Sequence, residues 1–323
     1  MSFETFITQY GHYAGAFLGI TLSALGAALG QGYSFEGTSE CLSRQDESAT
    51  AAKQLQFAGL LVIESGPALG FILFFFGFLG GKHPISLPVA LTEFTLGLSF
   101  GLSALVSGIA AGRAITAATH AVSRQPFISK KLSTFMLLME SFSEVSVIFS
   151  FILGLVIRTK ISPELTMPCA IKLCAASLTL SLATIGAGIA QGILASTNIS
   201  AVGLNQNAYT KIATFTFITM AFIETPIFFA FFIAMRLVYT PLTESLTWVQ
   251  ALGFFGATFA SGLGSAGPAI AAAFLSGKAV TEIALDINQY ESQRKTATVV
   301  LLLLETGAIY SLLISLIISS VLS

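Results

Sequence analysis

A glutamate stands in the middle of every second apolar stretch of this chain, and the distance from one to the next is almost constant. LLVIESG carries Glu64, SFSEVSV carries Glu144, AFIETPI carries Glu224 and LLLETGA carries Glu305, at separations of 80, 80 and 81 residues. A carboxylate at mid-bilayer costs about 3 kcal/mol on insertion scales. One such residue could be a hydrogen-bonding strut between helices; four at one period point to a repeated unit that uses the carboxyl group.

That these stretches lie in lipid follows from charge. Only 10% of the 323 residues are Asp, Glu, Lys or Arg and 54% are hydrophobic, where soluble domains carry about 25% charged residues. Residues 173–210 and 245–277 contain no charged side chain, and each run exceeds the roughly 20 apolar residues that cross a bilayer core. Allowing a single carboxylate per span gives eight spans, near 8–33, 54–80, 88–112, 131–157, 170–195, 212–236, 246–275 and 296–321. Each must be a helix, because lipid offers no partner to an open backbone. Met1 to Gln9 lacks the basic start of a signal peptide, so the first span is expected to stay.

The rest of the unit repeats in step. A helix rich in small residues opens each one: GAALGQG (26–32), SGIAAGR (107–113), GAGIAQG (186–192) and SAGPAIAAA (265–273). Such residues let helix backbones approach closely in lipid, where packing replaces the hydrophobic effect. A polar turn follows (LSRQDES, VSRQPF, GLNQNAY, ALDINQYE), then the glutamate helix. The expected fold is therefore an all-α membrane protein of eight transmembrane helices in four tandem hairpins, over 1–81, 82–160, 161–240 and 241–323. Ten of the fifteen Lys and Arg residues lie in or beside the loops inside hairpins, which places those loops on the cytoplasmic side and both termini outside.

These residues resemble the ring-forming c subunits, the proteolipids, of F-type and related A/V-type rotary ATPases. That family's unit has a glycine-repeat helix, a loop close to Ala-Arg-Gln-Pro, and an essential carboxylate about twenty residues past the loop arginine. Arg124-Gln125-Pro126 precedes Glu144 by 20 residues and Arg44-Gln45-Asp46 precedes Glu64 by 20. The third and fourth units depart from the loop, with Asn205-Gln206-Asn207 and Asp286-Ile287-Asn288, while their glycine helices and glutamates still align.

The resemblance implies a c-ring built from several chains, with a multiple of four hairpins, glycine helices inside and glutamate helices outside. It implies ions carried on Glu64, Glu144, Glu224 and Glu305 past a stator a-type subunit, with central-stalk subunits on the cytoplasmic loops, in a cell inner membrane or an equivalent energy-transducing membrane. Burial disfavours the charged form of a carboxyl group, so a protonated glutamate can travel facing lipid. Catalysis of ATP chemistry would belong to partner subunits, since the chain has no phosphate loop and no nucleophile–base motif.

The carried ion is H⁺ or Na⁺, and no cofactor is expected. Family sodium sites resemble a Gln 33 residues before the Glu, a Ser or Thr after it, a Tyr five after it and a free backbone carbonyl just before it. Gln31 and Ser65 accompany Glu64, Gln191 and Thr225 accompany Glu224, and Thr306 and Tyr310 accompany Glu305. Pro226 also frees the Phe222 carbonyl from its helical bond. Ala111 and Ala272 replace the Gln in units two and four, and Leu69 and Phe229 stand where units one and three would need the Tyr. No unit has the full set, which favours H⁺, with Gln31 and Gln191 hydrogen-bonded to the protonated carboxyl.

Glu140, one turn before Glu144, has no counterpart: Leu60, Met220 and Leu301 hold the equivalent positions. It either shares a proton with Glu144 or bonds a nearby polar group, and the second is the simpler reading. Glu93 reads as interfacial. His12, His83 and His120 show no metal-ligand spacing, and Cys41, Cys169 and Cys174 read as small apolar fillers. A net charge of −1 excludes a basic nucleic-acid face. The rival classes are a secondary transporter, which needs broken helices converging on one site, and a structural pore-forming proteolipid, which needs no carboxylate in each unit.

Overall fold

The computed structural model describes the backbone of residues 3–44, 46–80, 86–240 and 246–322, and side chains for 10–11, 13–44, 47–75, 86–240 and 246–322. Those residues are helical apart from short links, with no strand among them. Among the described residues, eight helices, counting the interrupted second span as one, are long and apolar enough to cross a membrane.

The first hairpin is α1 (Phe3–Arg44) followed by α2 (Asp46–Ile63) and α3 (Ser65–Gly80). α2 and α3 form a single span interrupted at Glu64. Pro67 has no N–H to give the Ile63 carbonyl four residues back, while the neighbouring bonds Glu64 N to Leu60 O and Ala68 N to Glu64 O survive at 3.2 Å. The remaining hairpins are α4 (Leu87–Arg124) with α5 (Ser129–Arg158), α6 (Met167–Leu204) with α7 (Tyr209–Tyr239), and α8 (Trp248–Leu285) with α9 (Tyr290–Val321).

The helices overrun the apolar windows, most of all on the inner side. The window at 88–112 stops at the first charge, Arg113, whereas α4 runs on to Arg124 because Ala114, Ala117, Ala118 and Ala121 bury against neighbours. Hydropathy marks the lipid-spanning part; packing carries the helix beyond it.

The first helices of the hairpins stand side by side in the order α1, α4, α6, α8, and the glutamate helices form a second row outside them. Every outer helix but α9 beds between its own inner helix and the next one along, as α5 does between α4 and α6 and α7 between α6 and α8. No extended contact joins α1 to α8 or α9 among the described residues, so the double row has two open ends.

Small residues set the spacing of the inner row. A Cβ placed on Gly97 would lie 1.8 Å from the Gly15 carbonyl oxygen, and one on Gly112 would lie 2.4 Å from that of Gly30. Only glycine fits where two helix backbones touch in this way. Short polar links cross the same seams, including Ser103 to Thr184 at 2.7 Å and Thr179 to Thr258 at 3.0 Å.

The hairpin loops are alike despite their different sequences. Each of the last three is one residue and a turn of 3-10 helix, at Pro126–Ile128, Gln206–Ala208 and Ile287–Gln289. Asn205 and Asp286 cap theirs by accepting from the N–H two residues on, both at 3.0 Å. The Gln125 amide donates to the Gly203 carbonyl of the next hairpin at 3.1 Å, and Asn205 donates to that of Ala284 at 3.0 Å. Lys131 over Tyr209 and Lys211 over Tyr290 repeat a cation–π contact from one loop end to the next. The third and fourth loops lose the Arg-Gln-Pro letters but keep the ties between neighbours.

Candidate ion-binding sites

All four periodic glutamates sit on the outer row, two of them enclosed at junctions between hairpins. Glu144 on α5 and Glu224 on α7 are each 8% exposed, whereas Glu64 at the open α1 end is exposed and Glu305 on α9 is half-buried. The difference follows from position in the row: an end site lacks a neighbouring hairpin on one side.

At the junction of the first and second hairpins, Glu144 takes hydroxyl donors on both oxygens. Ser65 of α3 donates to Oε2, and Ser107 of α4 lies 3.1 Å from Oε1. Ser107 also lies 2.9 Å from the Ser143 carbonyl oxygen, and with one hydroxyl proton it serves one acceptor at a time. Ser65 thus belongs to the neighbouring hairpin's carboxylate rather than to the Glu64 beside it. Ser107 is a partner of Glu144 that the spacing rule missed, although it lies one turn before Ala111, on the same helix face as the missing Gln.

At the next junction a single amide does the linking. Gln191 of α6 donates from Nε2 to Glu224 Oε1 at 3.3 Å and to the Phe142 carbonyl oxygen of the second hairpin at 3.1 Å. Phe142 lies two residues before Glu144, the same offset at which Pro226 frees the Phe222 carbonyl in the following hairpin. Thr225 turns back on its own helix, donating to Ala221 at 2.8 Å.

Glu64 accepts from Gln31 Nε2 of α1. Around Glu305 the candidate helpers do not converge: Thr306 donates to the Leu303 carbonyl at 2.7 Å and Tyr310 is 63% exposed. Of the six supporting residues read from sequence, Gln31 and Gln191 meet their own glutamate, Ser65 meets the next one, and Thr225, Thr306 and Tyr310 meet none.

Glu140 departs from the simpler expectation that it bonds a nearby group. It is fully buried, and neither carboxyl oxygen has a hydrogen-bond partner among the described residues. Glu93, read as interfacial, is buried on α4 with Arg158 of α5 at 3.7 Å, and that guanidinium also lies 5.7 Å from the centre of the Phe74 ring. His120 stands 3.5 Å from Glu40 of α1. His83 and the His12 side chain lie outside the described residues. Among the described residues no three His, Cys, Asp or Glu side chains cluster as metal ligands, and the three cysteines are buried without disulfides. Phe71, Phe75, Phe228 and Phe232 are exposed while Phe74 is buried.

With this geometry in place, two stretches match a known family: residues 94–157, over α4 and α5, and 174–237, over α6 and α7, each match the family described as the C subunit of ATP synthase. No solved structure matches the chain.

Proposed function

We propose, from the premise that this integral membrane protein belongs to the ATP synthase C-subunit family through its second and third hairpins, that it is a rotor-ring subunit of a rotary ATP synthase or ATPase. Its glutamates carry ions across the membrane as the ring turns. The observation that carries this reading is the placing of Glu144 and Glu224: each is shielded on the outer row, at a junction of two hairpins, with its donors drawn from inner-row and neighbouring helices.

In this mechanism each glutamate takes an ion from a half-channel of a stator a-type subunit and crosses the lipid-facing arc in neutral form. It releases the ion on the other side, where a stator cation favours the carboxylate. A unit charge moved through 100 mV yields about 2.3 kcal/mol, so several ions are needed for each ATP. Four carriers per chain suit that demand. The central stalk would take up the rotation at the hairpin loops, on the cytoplasmic side, with both termini outside.

Ring closure supplies what the end sites lack. The α1 end exposes an apolar groove between α1 and α3, formed by Tyr13, Phe17, Phe71 and Phe75 among others, which suits the α8–α9 end of a second copy. Heterologous contact of this kind closes into a ring when the rotation fits. Thr306 stands at the position of Ser65 in its own repeat, so the internal junction, copied between chains, sets Thr306 of one chain against Glu64 of the next.

The coupling ion is H⁺ in this reading. At the Glu224 junction the Gln191 amide nitrogen donates to a carboxylate oxygen and to a backbone carbonyl; hard cations require several oxygen ligands, and no unit carries the full sodium set. Carbodiimide labelling of the purified protein tests the proposal. Covalent modification is expected at Glu64, Glu144, Glu224 and Glu305, without protection by Na⁺. Protection by Na⁺ would transfer the sites to sodium, and no labelling under acidic conditions would remove the rotor reading.

A further inference from the structure

The second hairpin holds one carboxyl group more than ion carriage requires. Glu140 lies on the same face of α5 as Glu144, one turn nearer the hairpin loop. It is 0% exposed, both oxygens lack a donor among the described residues, and Oε1 points at the backbone of α2: a Cβ on Gly59 would lie 2.5 Å from it. Ile115 of α4 closes the same spot. Glu144 has two hydroxyl donors and Glu140 has none, so the two carboxyl groups are offered opposite environments. Donors support the ionised form, and bare burial supports the neutral one.

A route from the loop side ends close by. Between α2 and α5 a cleft of about 370 Å³ is lined by Gln54, Leu55, Ser129, Lys130, Ser133 and Thr134 among others. Five of its seven lining residues carry polar side chains, unlike those of the apolar groove at the α1 end. Leu55 is its deepest residue along α2, and Gly59, which faces Glu140, is the next turn on. On α5, Ser133 and Glu140 share a face two turns apart. Among the described side chains, the ionisable groups on the surrounding helices are Glu47 and Lys53 of α2, Glu64 at the break between α2 and α3, Glu93, Arg113, His120 and Arg124 of α4, and Lys130, Lys131, Glu144 and Arg158 of α5; none of them hydrogen-bonds Glu140.

We propose that Glu140 is a second proton-binding residue of this hairpin and passes its proton between Glu144 and the loop-side cleft. In the step, the Glu140 O–H bond breaks as its proton passes to the Glu144 carboxylate, and the Glu140 carboxylate left behind takes a proton from water or hydronium in the cleft. The return path runs the same transfers backwards. The proposal rests on Glu144 being an ion carrier, and its first readout does not.

The test is difference infrared spectroscopy of the full chain in lipid nanodiscs at neutral pH. Glu140→Met installs the residue that the third hairpin carries at that place, Met220, and so keeps the packing. It should abolish one protonated-carboxyl band that Glu144→Gln leaves in place. On transfer to D₂O, the Glu144 carboxyl should exchange more slowly in Glu140→Met than in the parent, with Glu224 unchanged. If no protonated band disappears, or Glu144 exchanges at the parental rate, the proposal is overturned. A failure of the rotor reading would register separately, as ion transport that survives Glu224→Gln while the Glu140 band is still present.

Discussion

The inner and outer rows of this molecule are made of the same kind of helix and are held by opposite means. Between inner helices the backbone itself is the contact surface, as where a Cβ on Gly97 would stand 1.8 Å from the Gly15 carbonyl oxygen. Between outer helices large side chains fill the space: Phe149 stacks on Phe231 with ring centres 4.7 Å apart and meets Phe228 at 4.9 Å. Backbone contact admits one spacing, whereas side chains have rotamers. The carboxyl groups stand in the row whose contacts can rearrange, braced against the row whose contacts cannot.

The most forceful way to break this contrast is to add a side chain to the inner seam. Overpacking costs about 1–3 kcal/mol where neighbours can yield, and at Gly97 the neighbour is backbone. Gly97→Leu is expected to prevent recovery of a folded, monodisperse chain in detergent. Phe149→Leu in the outer row, a large-to-small change at a half-buried ring, should lower stability by about 1 kcal/mol. Thermal unfolding followed by circular dichroism compares the two; equal losses would remove the distinction between rows.

A smaller effect is expected from the Gln191 amide, which with that of Asn198 ties the rows together at the third hairpin. Gln191→Leu strips a donor from both Glu224 and the Phe142 carbonyl, and a buried acceptor left unsatisfied costs about 1–3 kcal/mol. Carbodiimide labelling should change at Glu224 and stay unchanged at Glu305, whose hairpin has Ala272 where Gln191 stands. Equal changes at both would mean that the substitution acts through the fold and not through the donor.

Much of this was legible in the sequence, and what was missing has a common cause. Charge-free runs longer than a bilayer predict the helices, and the period of Glu64, Glu144, Glu224 and Glu305 predicts their pairing into hairpins. A period says which residues are equivalent; it does not say which neighbour an equivalent residue faces. Ser65 is adjacent to Glu64 in the chain and bonded to Glu144 in space, because the offset between hairpins turns the residue after that glutamate towards the following one. Ser107 escapes a pattern that asks for Gln at the position of Ala111, yet a hydroxyl one turn earlier reaches the same carboxyl. Glu140 was visible as an unmatched acid, but its isolation depends on Gly59 in another hairpin. The interruption at Glu64 could have been read from Pro67, by the rule that identified the free Phe222 carbonyl ahead of Pro226.

The finest test concerns the two hydroxyls on Glu144, which separate a site built across hairpins from one built within them. Ser107→Ala removes a donor on the glutamate's own inner helix, and Ser65→Ala removes one on the neighbouring hairpin. Each should cost about 1 kcal/mol, the usual net value of a hydrogen bond, and Glu144 keeps the other donor in either case. The informative readout is the address of the effect: Ser65→Ala should alter carbodiimide labelling at Glu144 and leave Glu64, its chain neighbour, as it was with Gln31 still in place. A change at Glu64 with none at Glu144 would return Ser65 to its own hairpin, and the outer row would then consist of four separate sites rather than a chain of shared junctions.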